Sequence, residues 1–111
     1  MPTQINYIEL QSHNLDETKA FFSKLFGWQF TDYGPDYISF DNAGIAGGFY
    51  RTDSPVPGEN RTILYTKELE SLRDQVVDHG VELTRDIYSF PGGRRFEFND
   101  CSGNRLAVWS E

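Results

Sequence analysis

The order of structural signals in the first half of the chain returns in the second half, and that repeat constrains the fold more than any other property of the sequence. A helix-like stripe stops at Gly27 and again at Gly80, a shift of 53, and Leu15 and Leu69 open the two stripes, a shift of 54. Phe40 before Asp-Asn-Ala-Gly matches Phe98 before Asn-Asp-Cys-Ser-Gly, a shift of 58. A period of about half the chain with little residue identity describes two copies of one supersecondary unit, because a solenoid needs about three or more repeats. The 111 residues suffice for one hydrophobic core, since a chain of this size buries only about 60–70% of its unfolded surface.

The local signals assign the unit its elements. Gln4 to Gln11 carries β-branched and aromatic residues with partial alternation and reads as a strand. Asn14 followed by Glu17 three residues on forms a capping-box signal, and Asp16 adds negative charge where the helix dipole favours it. Leu15, Phe22, Leu25 and Phe26 then recur at helical spacing, and Gly27 suits a left-handed C-terminal cap, so a helix is predicted over residues 15–26. Strands are predicted for 28–33, 37–40 and 45–50, separated by Gly34-Pro35-Asp36 and Asp41-Asn42-Ala43-Gly44. The Pro- and Gly-containing segment at about 52–60 reads as a linker. Beyond it come a strand at 62–66, a helical stripe of Leu69, Leu72, Val76 and Val77 closed by His79-Gly80, and strands at 81–88, 94–99 and 105–109. The organisation is one domain over 1–111, with module one at about 4–51 and module two at about 61–111, each in the order βαβββ.

Composition excludes several functions. A formal net charge of −7 and a pI near 4.7 oppose binding to phosphate backbones or anionic headgroups, so nucleic acid and membrane surfaces are not expected partners. The chain has no apolar run long enough to span a bilayer, and its Met-Pro-Thr-Gln start lacks a basic segment followed by an apolar one, which leads to the expectation of a soluble, cytoplasmic protein. Cys101 is the lone cysteine, which rules out an intrachain disulfide and a Cys-based zinc site. Aromatic residues make up 15% of the chain, enough to build either a ring-rich core or a ring-lined cavity.

The element order, Tyr7-Ile8-Glu9-Leu10, the segment from Asn14 to Trp28 that ends Leu-Phe-Gly-Trp, and Phe98-Asn-Asp-Cys-Ser-Gly-Asn-Arg-Leu106 together resemble the vicinal oxygen chelate superfamily. That superfamily includes glyoxalase I, bleomycin-resistance proteins and extradiol dioxygenases. The resemblance covers nearly the whole chain. It implies an α+β fold in which two βαβββ modules form a cupped mixed sheet with helices outside, ligands bound in the cup, and a homodimer.

Catalytic members of the superfamily hold a divalent metal through His, Glu and sometimes Gln at four strand positions in the cup. The resemblance places those positions at Tyr7, at Gly47 or Gly48, near Thr62, and at Ala107. A phenol is a poor ligand unless ionised, at an ordinary pKa of about 10, and Gly and Ala offer no donor. His13 precedes a helix cap and His79 lies at a helix end, where a cation complements the dipole, so both read as structural. Cys101 stands where the family commonly has Pro and reads as inert; Arg94 and Arg95 are the bases that folding could bring to it. Gly47-Gly48 reads as a site of close approach rather than a phosphate loop.

With the family register, the expected ligand cup comprises Tyr7, Glu9, Gly47, Gly48, Thr62, Leu64, Arg105, Ala107 and Trp109, while Ile8, Leu10, Ile63, Tyr65, Leu106 and Val108 meet the helices. Tyr, Trp and one or two charges suit a planar or cationic small molecule. The leading expectation is therefore a metal-independent small-molecule-binding protein of the glyoxalase and bleomycin-resistance type, with no cofactor and no assigned catalytic residue. The alternative is a lyase, isomerase or dioxygenase of the same superfamily using a displaced divalent metal near Glu9 or His13. A third reading has the rings fill the cup as core or as a partner interface.

Overall fold

In the computed structural model, which describes residues 3–111, β1 (Tyr7–Ser12) leads into α1 (Leu15–Phe26), followed by β2 (Gln29–Asp32), β3 (Tyr37–Asp41) and β4 (Ala46–Arg51). The second module repeats the order with β5 (Arg61–Tyr65), α2 (Leu69–Asp78), β6 (Leu83–Phe90), β7 (Gly93–Asn99) and β8 (Arg105–Ser110). The chain divides into two compact units, the first ending at Pro55 and the second running Val56–Glu111. Each unit holds one four-stranded mixed sheet, in the orders β1-β4-β3-β2 and β5-β8-β7-β6. Their first strands pair in parallel with their last, and the remaining neighbours are antiparallel.

The helix boundaries follow the capping chemistry. The Asn14 side chain accepts a hydrogen bond from the Glu17 amide at 3.0 Å, and Gly27 closes α1 at φ 76° with its amide bonded to the Ser23 carbonyl. The end of β1 is tied to α1 by the buried hydroxyl pair Ser12 and Thr18 at 2.6 Å. β1 starts and ends later than predicted, α2 stops one residue before its cap at His79, and β6 lies about two residues beyond its predicted bounds. Trp28 is not the first residue of β2; its ring is buried in the core instead.

One face of each sheet carries its helix. In the first unit Phe22 of α1 stacks on Trp28 with ring centroids 4.8 Å apart and meets Phe49 at 5.1 Å, and Trp28 meets Phe40 at 4.7 Å. Much of the aromatic content therefore forms a ring-on-ring core. In the second unit Phe96, Phe98, Leu106, Val108, Leu69 and Val76 are fully or almost fully buried. The side of that sheet on which α2 lies is fixed by Arg94, a neighbour of Phe96 in β7, whose guanidinium reaches Glu70 of α2 at 2.6 Å.

Register corrects the expected faces of five residues. Paired residues on neighbouring strands share a face, and β5 pairs Thr62 with Leu106 and Leu64 with Val108. Thr62 and Leu64 therefore face the helix side, while Ile63 and Tyr65 lie with Ala107 and Trp109 on the uncovered face. Likewise Gly47 pairs with Ile8 and Phe40 on the helix side, and only Gly48 pairs with Glu9 and Ser39 on the open side. Tyr7, Glu9, Arg105, Ala107 and Trp109 stand on the open faces as expected.

Candidate functional site

The open face of the first sheet is organised around a tyrosine pair. β1 projects Tyr7 and Glu9, and β3 and β4 bring Tyr37 and Gly48 to the same side. The Tyr37 hydroxyl donates to Glu9 Oε2 at 3.0 Å and lies 2.5 Å from the Tyr7 hydroxyl. Because the Tyr37 proton points to the carboxylate, the Tyr7 proton points to Tyr37, and Tyr7 presents its oxygen lone pairs outward. Burial raises the Tyr37 pKa, as do its bonds to Tyr7 and Glu9, so this hydroxyl keeps its proton throughout the physiological range. Gly48 permits the arrangement: a Cβ there would overlap the Tyr37 hydroxyl and ring and crowd the Ile38 carbonyl. The need for close approach at this glycine is legible in Gly47-Gly48, but Tyr37 is not. Tyr37 opens its strand behind a turn, and only the antiparallel register of β3 with β4 brings it beside β1.

The open face of the second sheet is built from arginines and rings. Glu97 in β7 is bridged through Oε1 to Arg61 at 3.2 Å and through Oε2 to Arg95 at 3.5 Å, and it accepts a hydrogen bond from the Tyr88 hydroxyl. Arg95 Nε also donates to Tyr88. Burial pushes the Glu97 carboxyl up, but the Tyr88 hydroxyl and the Arg61, Arg95 and Arg85 guanidiniums outweigh it and hold the group below the usual carboxylate range. A value depressed in the folded state gives stability that is complete above the unfolded pKa of about 4.3 and is lost as pH falls through the lower folded value. The difference in unfolding free energy between the native chain and Glu97→Gln is accordingly expected to stay flat above about pH 5 and to shrink below it. Urea unfolding at stepped pH reads this directly; a difference that stays constant into strong acid would show that the cluster is not formed in solution.

Aromatic side chains continue the same face. Trp109 meets Tyr65 edge-on at 5.0 Å and Phe90 at 6.2 Å. Arg105 reaches the Glu59 carbonyl at 3.2 Å, and Arg94, on the helix side, is held by Glu70. Cys101 is exposed in the β7–β8 turn, while Arg94 and Arg95 are ion-paired with Glu70 and Glu97.

The family's metal positions can be tested against these residues. The shift of 54 that carries Leu15 to Leu69 also carries Tyr7 to Arg61, and both open their strands. The second-module counterpart of Tyr7 is thus Arg61 rather than Thr62. The four positions then supply a phenol, a glycine, a guanidinium and the methyl of Ala107. A divalent ion needs neutral or anionic N, O or S donors, and a guanidinium stays protonated at any relevant pH. Among the described residues no group of three or more His, Cys, Asp or Glu side chains is placed to hold a metal ion. This donor set does not fit the divalent metal of the catalytic relatives.

Paired βαβββ modules, each with a mixed sheet, a helix on one side and a polar-aromatic face on the other, define an α+β protein of the vicinal oxygen chelate type. The model of the glyoxalase/bleomycin resistance protein/dioxygenase superfamily matches residues 4–108, and the chain belongs to that superfamily. No curated protein matches the sequence. Among solved structures the chain is similar to the genomically encoded fosfomycin resistance protein FosX from Listeria monocytogenes, with TM-score 0.86, 19% identity, and coverage of 100% of this chain and 95% of that one. It is also similar to lactoylglutathione lyase from Agrobacterium tumefaciens, with TM-score 0.78, 16% identity and coverage of 98% and 94%. A virulence protein from Salmonella typhimurium aligns with TM-score 0.78 at 11% identity over 99% of this chain and 98% of that one. At these identities the likeness is one of fold. FosX has been solved with Mn(II) and sulfate. None of the described helices here is long and apolar enough to cross a membrane.

Proposed function

We propose that this protein binds a small planar molecule without a metal ion, in the manner of the bleomycin-resistance branch of its superfamily, and works as a homodimer. The observation that carries the reading is the residue set at the family's metal positions, where Arg61 and Ala107 stand in place of donors. The open faces support it further. Tyr7 is 45% exposed and Tyr65 47% exposed, so these rings lie at the surface of their own units rather than in the core. Rings of this kind offer stacking worth about 0.5–1.5 kcal/mol each beyond the area they bury.

Two measurements test the proposal. Elemental analysis of protein purified without chelator is expected to find no stoichiometric Ni, Zn, Fe or Mn, and one equivalent of any of them would overturn the metal-independent reading. A thermal-shift screen of aromatic small molecules is expected to give hits, because a ligand at 100 times its Kd adds about 2.7 kcal/mol to stability. A screen without hits, with Tyr7→Ala and Trp109→Ala merely lowering Tm, would make the rings structural.

A further inference from the structure

The composition of the second module's open face depends on irregularities in β6. β6 pairs Leu83 with Phe98, Arg85 with Glu97 and Tyr88 with Arg95, so it gains one residue on β7 in each interval. In a regular strand Arg85 and Tyr88, three apart, would point to opposite faces. The extra residue between them returns both to the open face, where the Arg85 guanidinium lies 3.5 Å from the centre of the Tyr88 ring. Arg95 continues the line, 5.5 Å from the Tyr88 ring and 5.5 Å from that of Phe90, and Phe90 in turn meets Trp109. The result is a strip that alternates guanidinium and ring.

Its charge is the reverse of the chain's. Three guanidiniums, those of Arg61, Arg85 and Arg95, surround one carboxylate, and both oxygens of Glu97 are already taken. Arg85 is exposed, and among the described residues no carboxylate lies within ion-pair distance of it. The Tyr88 ring lies against this guanidinium, and a guanidinium that makes no ion pair keeps its planar fork of N–H donors, which takes a carboxylate through two parallel hydrogen bonds. A cationic ligand, which the net charge of −7 alone would favour, meets like charge at Arg61, Arg85 and Arg95, although the Glu111 carboxylate, held by the Tyr65 hydroxyl, also borders this face.

We propose that the strip binds a planar aromatic carboxylate, with the carboxylate on Arg85 and the ring system extended along Phe90 toward Trp109. The assignment rests on the small-molecule-binding reading above and names its ligand class. The test compares three isosteric probes, 2-naphthoate, 2-naphthalenemethanol and 2-naphthylmethylammonium, by titration calorimetry against the native chain, Arg85→Gln and Arg85→Lys. The expected order of affinity is carboxylate, then alcohol, then ammonium. Arg85→Gln should weaken 2-naphthoate roughly tenfold and leave the alcohol unchanged, with Arg85→Lys between, since Lys keeps the charge but loses the fork. Circular dichroism of Arg85→Gln is expected to match the native chain, because the side chain is exposed. Alcohol or ammonium binding as tightly as the carboxylate would overturn the ligand class while leaving the planar-ligand reading in place. Absence of 2-naphthoate binding, or indifference to Arg85→Gln, would overturn the proposal, and the broad thermal-shift screen would then decide the reading beneath it.

Discussion

Truncating Phe22 to alanine is expected to destabilise the first module by about 3–5 kcal/mol, the range for deleting a fully buried ring. Phe22 has no exposed surface, and its ring touches those of Phe21, Phe26, Trp28 and Phe49. Neighbouring rings are flat and stiff and can close the gap only by turning as whole plates, so the site collapses poorly and the cost falls toward the upper end. Against a total stability of about 5–15 kcal/mol, typical of natural domains, such a loss leaves a marginal fold. Urea unfolding followed by tryptophan emission is the suitable readout, since Trp28 stacks on Phe22. A midpoint within experimental error of the native one would show that the aromatic box does not hold the module together.

The second large effect is expected at Asp100. Its carboxylate accepts hydrogen bonds from the Ser102 amide at 3.0 Å, the Asn104 amide at 2.9 Å and Asn104 Nδ2 at 2.8 Å, and all three residues are buried. This side chain replaces solvent for a turn that must reverse the chain between β7 and β8, helped by Gly103 at φ 84°. Asp100→Ala strands several donors, each costing about 1–3 kcal/mol when unsatisfied and buried, and a net loss on the order of 3 kcal/mol is expected. Asp100→Asn keeps one acceptor oxygen and should recover part of it. Equal stabilities for the alanine and asparagine variants would mean that water satisfies the turn.

What the residues disclosed in advance, and what they concealed, has a physical pattern. Features decided within a few residues were legible: Asn14 and Glu17 bracket the start of α1, Gly27 ends it, and the late Asp-x-x-Gly-Asn turn stands where predicted. The face of β5 was not. In Thr-Ile-Leu-Tyr-Thr the alternation favours Ile63 and Tyr65 over Thr62, Leu64 and Thr66 for the helix side, and the structure places them the other way; a slip of one residue turns Ile63 and Tyr65 from the helix side to the open side. Only pairing with a strand more than forty residues away settles it. The Arg61, Arg85, Tyr88, Arg95 and Glu97 cluster was missed for the same reason. Its members lie on three strands, and two of them share a face only because β6 is irregular. Its one advance signal was the repeat itself, since the shift of 54 already assigns Arg61 to the position of Tyr7.

The irregularity of β6 also governs how this surface can change through descent. Elsewhere in the sheets a new property requires exchanging one side chain for another. Between Arg85 and Tyr88, loss of the bulge at unchanged strand length, by a shift in how β6 pairs with β7, would restore strict alternation and turn the two side chains to opposite faces without altering either residue. The bulge at this point acts as a selector of surface charge, so relatives should be compared by the register of β6 on β7 before their arginines are aligned.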